Sequence, residues 1–245
     1  MVVAVAQPYC VPYDVSANAL AHAEAVRAAE ARLVVFPELS LTGYHVDAPV
    51  VDPTDRGLAV IVDACAATGS VALVGAPVPG PGGPSIGVLA VDATGARVAY
   101  RKMHLGTAET GRFVPGARPA VLVVDGVRLG LAVCRDTGVA AHAAATAALG
   151  MDAYVAGVLH TADEAALHGE RARRVAADHR VPVVTASFAG GTGEGYDRAA
   201  GRSGIWAADG TPVVEAGPEP GAVVRANLLD ATVDVDGDGR PGRLG

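Results

Sequence analysis

Residues 138–187, GVAAHAAATAALGMDAYVAGVLHTADEAALHGERARRVAADHRVPVVTAS, switch between two hydrophobic periods. An Ala-rich helix over 138–149 gives way to a short apolar run at 153–158, followed by a helix over 163–179 and a second apolar run at 181–187. Short apolar runs bounded by helices are the mark of strands buried on both faces, and parallel neighbours need a helical crossover between them. The stretch therefore predicts βαβ units and an α/β chain.

The same unit recurs upstream. Residues 2–6 (VVAVA) read as a buried strand, Ser16 as the cap of a helix running to about Arg32, and Leu33 to Phe36 as the next strand. Pro37 stops that strand and puts Glu38 at its C-terminal end, where open α/β sheets collect their ligand-binding groups. A helix near 56–68 and a strand at 71–76 follow. After the Pro/Gly loop 78–84, IGVLAVDATGARVAYRK (86–102) reads as a hairpin turning at Thr94-Gly95, with Lys102 just past its second strand. Residues 103–119 have no period and contain two prolines, so they read as a loop. AVLVVDGVRLGLAVC (120–134) is a second hairpin, around Asp125-Gly126, that ends on Cys134. The glycine-rich 189–204 reads as a flexible rim, and two final strands, 203–207 and 211–215, turn at Asp209-Gly210. With no internal repeat or linker, 1–245 is expected to form one domain.

Composition narrows the function. The 245 residues are 51% hydrophobic, enough for a sizeable core, and only 4% aromatic, with Ala, Val and Gly dominant, so that core must be built from small and β-branched side chains packed in layers. A formal net charge of −7 offers no electrostatic footprint for nucleic acid. The three cysteines, Cys10, Cys65 and Cys134, are odd in number and lack a C-x-x-C pair, which argues against a disulfide framework or a zinc site and fits a reducing cytoplasm. Neither a signal peptide nor a membrane span is expected, and no metal or other cofactor. Of the 19 cationic residues Lys102 alone is lysine, which marks a place where a compact ammonium is needed and a broad guanidinium does not fit.

Glu38, Lys102 and Cys134 all fall at the C-terminal ends of strands. A cysteine nucleophile needs a nearby proton acceptor and a fixed cation for the charge on a tetrahedral intermediate, and this set supplies both. Other signals lead nowhere. DVDGDG (234–239) imitates the start of a calcium loop, but its twelfth position is Gly245 where a bidentate Glu is required, so it reads as a polar tail. The glycines of 190–204 match neither a dinucleotide fingerprint nor a P-loop, and there is no G-x-S-x-G for a serine hydrolase.

These residues resemble the nitrilase superfamily of carbon–nitrogen hydrolases. VVFPELSLTGY (34–44) is similar to the family's segment carrying the catalytic Glu, here Glu38. YRKMHLGTAETGRFVPG (100–116) is similar to its lysine segment, with Lys102 in the catalytic position and Glu109, four residues before Phe113, at its second carboxylate. GLAVCRD (130–136) resembles the nucleophile elbow, with Cys134 as the cysteine and Asp136 as the family's Asp. The resemblance implies a four-layer αββα sandwich, a homodimer, and hydrolysis of a small amide, carbamoyl amine or nitrile through a thioester. It leaves open an acyltransferase using the same thioester and a silent ligand-binding subunit. Where many members carry an aromatic after the cysteine, this chain has Arg135, and His160 ends the strand expected beside that of Cys134. Both are therefore expected to bind substrate, favouring one with a carboxylate near the scissile bond.

Overall fold

The computed structural model describes residues 1–228. Two six-stranded sheets lie face to face. The first runs in the order β14 (Ala222–Asn227), β1 (Val2–Gln7), β2 (Leu33–Val35), β3 (Val71–Val78), β4 (Ser85–Asp92), β5 (Gly95–Arg101). The second runs β13 (Pro212–Glu215), β12 (Gly204–Trp206), β9 (Val183–Ser187), β8 (Ala153–Val158), β7 (Val127–Val133), β6 (Ala120–Val124). β1, β2 and β3 are parallel, as are β7, β8 and β9, so each sheet has a crossover-connected centre and antiparallel flanks.

Strand side chains alternate between faces, and that alternation builds the layers. Val3, Val5, Leu33 and Val35 of the first sheet meet Leu129, Leu131, Val133, Val155 and Val184 of the second in a shared core. On the outer face of the first sheet, Ala4, Ala6, Val34 and Val74 receive α1 (Val15–Ala29) and α2 (Ala59–Thr68) through Ala19, Ala23, Val26 and Ile61. On the outer face of the second, Ala132, Tyr154, Ala156 and Trp206 receive α3 (Ala140–Ala147) and α4 (Ala166–His179) through Ala143, Ala172, Val175 and Ala176. This is the αββα sandwich. Alanine at the helix–sheet contacts lets the layers approach closely, which accounts for a large core with few aromatics.

Several local expectations shift. α1 is capped by Asp14, whose carboxylate accepts from Ala17 N at 2.9 Å, with Ser16 already in the first turn; Glu30 adopts φ 45° and ends the helix before Arg32. The expected helix at 138–149 is a 3₁₀ turn at Cys134–Gly138 followed by α3. Strand β14, antiparallel to β1, was not expected at all. In the glycine-rich rim, β10 (Ala189–Gly190) and β11 (Ala199–Ala200) pair as a short ribbon. Among the described residues no helix is long and apolar enough to cross a membrane. The acidic run 234–239 lies outside the described residues.

Candidate active site

Three chain reversals at the C-terminal ends of β2, β5 and β7 bring the candidate residues together between the sheets. Glu38 sits in a turn just beyond β2, wedged between β3 of its own sheet and β8 of the other. A Cβ on Gly75 would lie 2.2 Å from Pro37 O, and one on Gly157 would lie 2.6 Å from Phe36 O. Only glycine lets both backbones press on this turn. The turn is closed by Ser40 N to Pro37 O and Leu41 N to Gly75 O, and Leu39 takes φ 52°. Lys102 follows β5 directly and is fixed by Lys102 N to Ile86 O at 2.8 Å and Gly116 N to Lys102 O at 2.7 Å.

Cys134 opens the 3₁₀ turn after β7 with φ 42°, a left-handed conformation that costs a non-glycine residue about 1–3 kcal/mol and persists only where its surroundings impose it. The surroundings here do so from two sides. Asp136 accepts from Val133 N, and Thr137 Oγ1 donates to Cys134 O at 2.7 Å, while Arg174 of α4 donates to the carbonyl of Thr137. The Cys134 thiol donates to Leu159 O at 3.2 Å.

The side chains form one buried cluster. Lys102 Nζ donates to Glu38 Oε1 at 2.6 Å and to Glu109 Oε1 at 2.7 Å, with all three residues about 1% exposed. Both oxygens of Glu109 are engaged: Oε1 also accepts from Tyr44 OH at 2.5 Å and Oε2 from Gly106 N at 2.6 Å. It therefore holds Lys102 with three of its roughly four acceptor sites engaged. Glu38 is different. Its Oε2 is buried and has no hydrogen-bond partner among the described residues, although a buried carboxylate oxygen is normally satisfied.

The electrostatics follow from two carboxylates sharing one ammonium. Burial pushes the Glu38 carboxyl up, Lys102 pulls it back and Glu109 adds to the rise, leaving it at about 7. Burial opposes the charge on Lys102, but Glu38 and Glu109 outweigh it and hold the ammonium above its usual range. Burial, then the Glu38 carboxylate, pushes the Cys134 thiol up to about 12 against the pull of Lys102. The resting sulfur is thus a thiol, and a base poised at neutral pH stands beside it.

Arg135 is exposed and makes no hydrogen bond or ion pair to any described residue. His160 is buried with both ring nitrogens occupied: Nε2 faces Arg171 Nη1 at 3.0 Å and Nδ1 faces His168 Nδ1 at 3.4 Å. Burial, His168 and Arg171 together lower its pKa to about 3, so it is a neutral link from β8 to α4, with no ring nitrogen free for a ligand in this arrangement. Three more groups join the site without having been singled out from sequence. Tyr44 holds Glu109; Tyr196 stands edge-on to it with ring centroids 5.3 Å apart; Thr192 Oγ1 accepts from Tyr44 N at 2.8 Å, docking the glycine-rich rim on the Glu38 segment. Tyr44 ends the quoted Glu38 segment and could have been found there, whereas Thr192 and Tyr196 carry no local signal.

Comparison with known proteins shows the family and the fold. The family model described as carbon-nitrogen hydrolase matches residues 2–236. A hydrolase from the pqqF 5′ region of Pseudomonas protegens is 29% identical over 226 residues, 87% of this chain and 78% of that protein. Among solved structures, the NitN amidase from Nesterenkonia sp. AN1 superposes with a TM-score of 0.82 at 25% identity, covering 94% of each chain. Nit3 of Saccharomyces cerevisiae, a nitrilase-superfamily member, gives 0.82 at 23% identity over 93% of this chain and 89% of that one, a likeness of fold. The chain belongs to the carbon-nitrogen hydrolase family of the nitrilase superfamily.

Proposed function

We propose that this hydrolase cleaves a small linear amide through a thioester on Cys134, with Glu38 as general base and acid and Lys102 as oxyanion donor. The observation that carries the reading is the unpartnered Oε2 of Glu38, a buried carboxylate oxygen left open while Lys102 occupies its twin. Glu38 takes the thiol proton as the sulfur attacks the carbonyl carbon. Lys102 and the backbone N–H of Arg135, a donor without a helical partner in the first turn after β7, hold the oxyanion. On collapse Glu38 gives its proton to the departing amine and the C–N bond breaks. Water then attacks the thioester, Glu38 accepts its proton and returns it to the sulfur, and the carboxylic acid leaves. A solved amidase from Nesterenkonia sp. AN1, 25% identical to this chain, is described in complex with acrylamide, which supports a small amide as substrate. A panel of aliphatic amides, carbamoyl amines and nitriles assayed for ammonia release tests the assignment: turnover of amides alone upholds it, and turnover of nitriles without amides sinks it.

The base must be unprotonated to act, and its carboxyl sits at about 7. For an uncharged amide, kcat/KM is therefore expected to fall about tenfold for each pH unit below roughly 7 and to level off above it. A rate–pH series on butyramide checks this; an acid limb centred near pH 4.5 would mean that Glu38 feels neither the burial nor the neighbouring carboxylate.

Arg135, exposed one residue past the sulfur, is the group in this reading that favours a substrate bearing a carboxylate. An ω-amidocarboxylate is expected to exceed its methyl ester in kcat/KM by roughly tenfold, the scale of an Arg–carboxylate contact in partial contact with water. Equal rates for acid and ester in wild type, or an unchanged ratio in Arg135→Ala, would dismiss this role.

A further inference from the structure

Asp136 is completely buried two residues past Cys134, and its carboxylate ties together two stretches of chain that meet only in the fold. Oδ2 accepts from Val133 N at 3.1 Å and from Tyr100 OH at 2.8 Å; Oδ1 accepts from His104 N at 2.9 Å and His104 Nδ1 at 2.8 Å. Val133 directly precedes Cys134, and Tyr100 and His104 flank Lys102 by two residues on either side. One carboxylate thus grips the nucleophile turn and both shoulders of the lysine segment.

The orientation of that carboxylate is itself fixed. A carboxylate only accepts, so the Tyr100 hydroxyl donates to it, and the phenolic oxygen is then free to accept from His142 Nε2, 2.8 Å away. A neutral His142 carrying its proton on Nε2 leaves Nδ1 as an acceptor, and Nδ1 faces Tyr154 OH at 2.9 Å. Burial lowers the pKa of His142, which favours this neutral form. Donors therefore run one way, Tyr154 to His142 to Tyr100 to Asp136, from the outer face of β8 and the α3 helix that covers it to the turn that bears the sulfur.

We propose that Asp136 is a positioning residue that holds the Cys134 sulfur and the Lys102 ammonium in register, with the Tyr154–His142–Tyr100 chain fixing its rotamer. The proposal rests on the thioester chemistry assigned to Cys134. Its physical basis is that Cys134 is held in a left-handed conformation it would leave if freed, and a misplacement of about 1 Å between reacting groups costs on the order of a hundredfold. Asp136→Asn preserves size but supplies one acceptor oxygen where fixed backbone N–H groups of Val133 and His104 approach both, so one of them must face an amide N–H. Tyr100→Phe removes a single donor and leaves the other three.

The test measures kcat, KM, melting temperature and the rate of Cys134 alkylation by iodoacetamide, followed by peptide mass spectrometry, in wild type, Asp136→Asn, Tyr100→Phe and Cys134→Ala. The expected result is a kcat lower by roughly 30- to 100-fold in Asp136→Asn and by roughly 3- to 10-fold in Tyr100→Phe, with KM within about threefold and slowed alkylation in both. A purely structural role would lower the melting temperature while kcat per folded molecule and the alkylation rate stay at wild-type values, and that outcome overturns the proposal. If Asp136→Asn does not fold, Tyr100→Phe decides alone: unchanged kcat and alkylation reject the role, and a reduced kcat at constant KM upholds it. Cys134→Ala separates the two readings, because turnover surviving in that variant defeats the thioester mechanism, while the alkylation rates still report whether Asp136 sets the position of the sulfur.

Discussion

Cys134→Ala is expected to lose on the order of 10⁴-fold in turnover, and the loss should be specific to this cysteine. The three cysteines differ in surroundings. Cys10 and Cys65 are buried thiols that donate to Pro8 O at 3.6 Å and Val91 O at 3.5 Å, and burial raises both, so they are inert packing groups. Cys134 alone shares a cluster with an unpartnered carboxylate oxygen and a buried ammonium. Cys10→Ala and Cys65→Ala should therefore keep most activity, at a stability cost of about 1–2 kcal/mol each for the lost sulfur and the small void. The assay is single-turnover ammonia release with intact-mass detection of the acyl-enzyme. A Cys134→Ala protein retaining more than about a hundredth of wild-type turnover would mean that no covalent intermediate is formed there.

Glu38, Lys102 and Cys134 could be singled out from sequence because each lies at the end of a strand, whereas Glu109 was read from the family resemblance alone. Pro37 ends a strand just before Glu38, Lys102 and Cys134 directly follow strands, and the structure sets Glu109 against the lysine. The alternation of buried strands and Ala-rich helices made an α/β chain legible, whereas the four-layer order followed only from the family resemblance. What escaped notice depends on partners distant in the chain. Tyr100, His142 and Tyr154 come from β5, α3 and β8, and nothing in their own neighbourhoods says that they line up behind Asp136. His160 was placed at the correct edge of the sheet, but whether its nitrogens face the cleft or α4 is decided by Arg171 and His168, on a helix packed behind it. Strand β14 is a half-exposed edge strand interrupted by Arg225, whose guanidinium pairs with Glu30 at 2.5 Å, so it lacks the apolar run that marks a buried strand.

Lys102→Arg is expected to lower kcat by about 100-fold or more while the protein stays folded, and the reason lies in how the two cations meet a carboxylate. The ammonium sits 2.6 Å from Glu38 Oε1 and 2.7 Å from Glu109 Oε1, one oxygen of each, in a space with almost no solvent contact. A guanidinium is wider and prefers to take both oxygens of one carboxylate in a planar fork. If it takes Glu38 that way it occupies Oε2, the oxygen left without a partner; if it takes Glu109 it crowds the Tyr44 hydroxyl and the Gly106 N–H that already bond those two oxygens. Either arrangement removes a point donor from the place where the oxyanion forms. The charge is kept, so neither carboxylate is left buried without a cation, a defect that would cost about 3–5 kcal/mol and make Lys102→Met a poorer test. The pH profile adds a signature that simple loss of fit would not give. A fork on Glu38 strengthens the attraction that lowers its pKa, so the acid limb should move below the wild-type position near 7 as the plateau rate falls. A folded Lys102→Arg enzyme with near-normal kcat and an unmoved acid limb would show that position 102 contributes only charge.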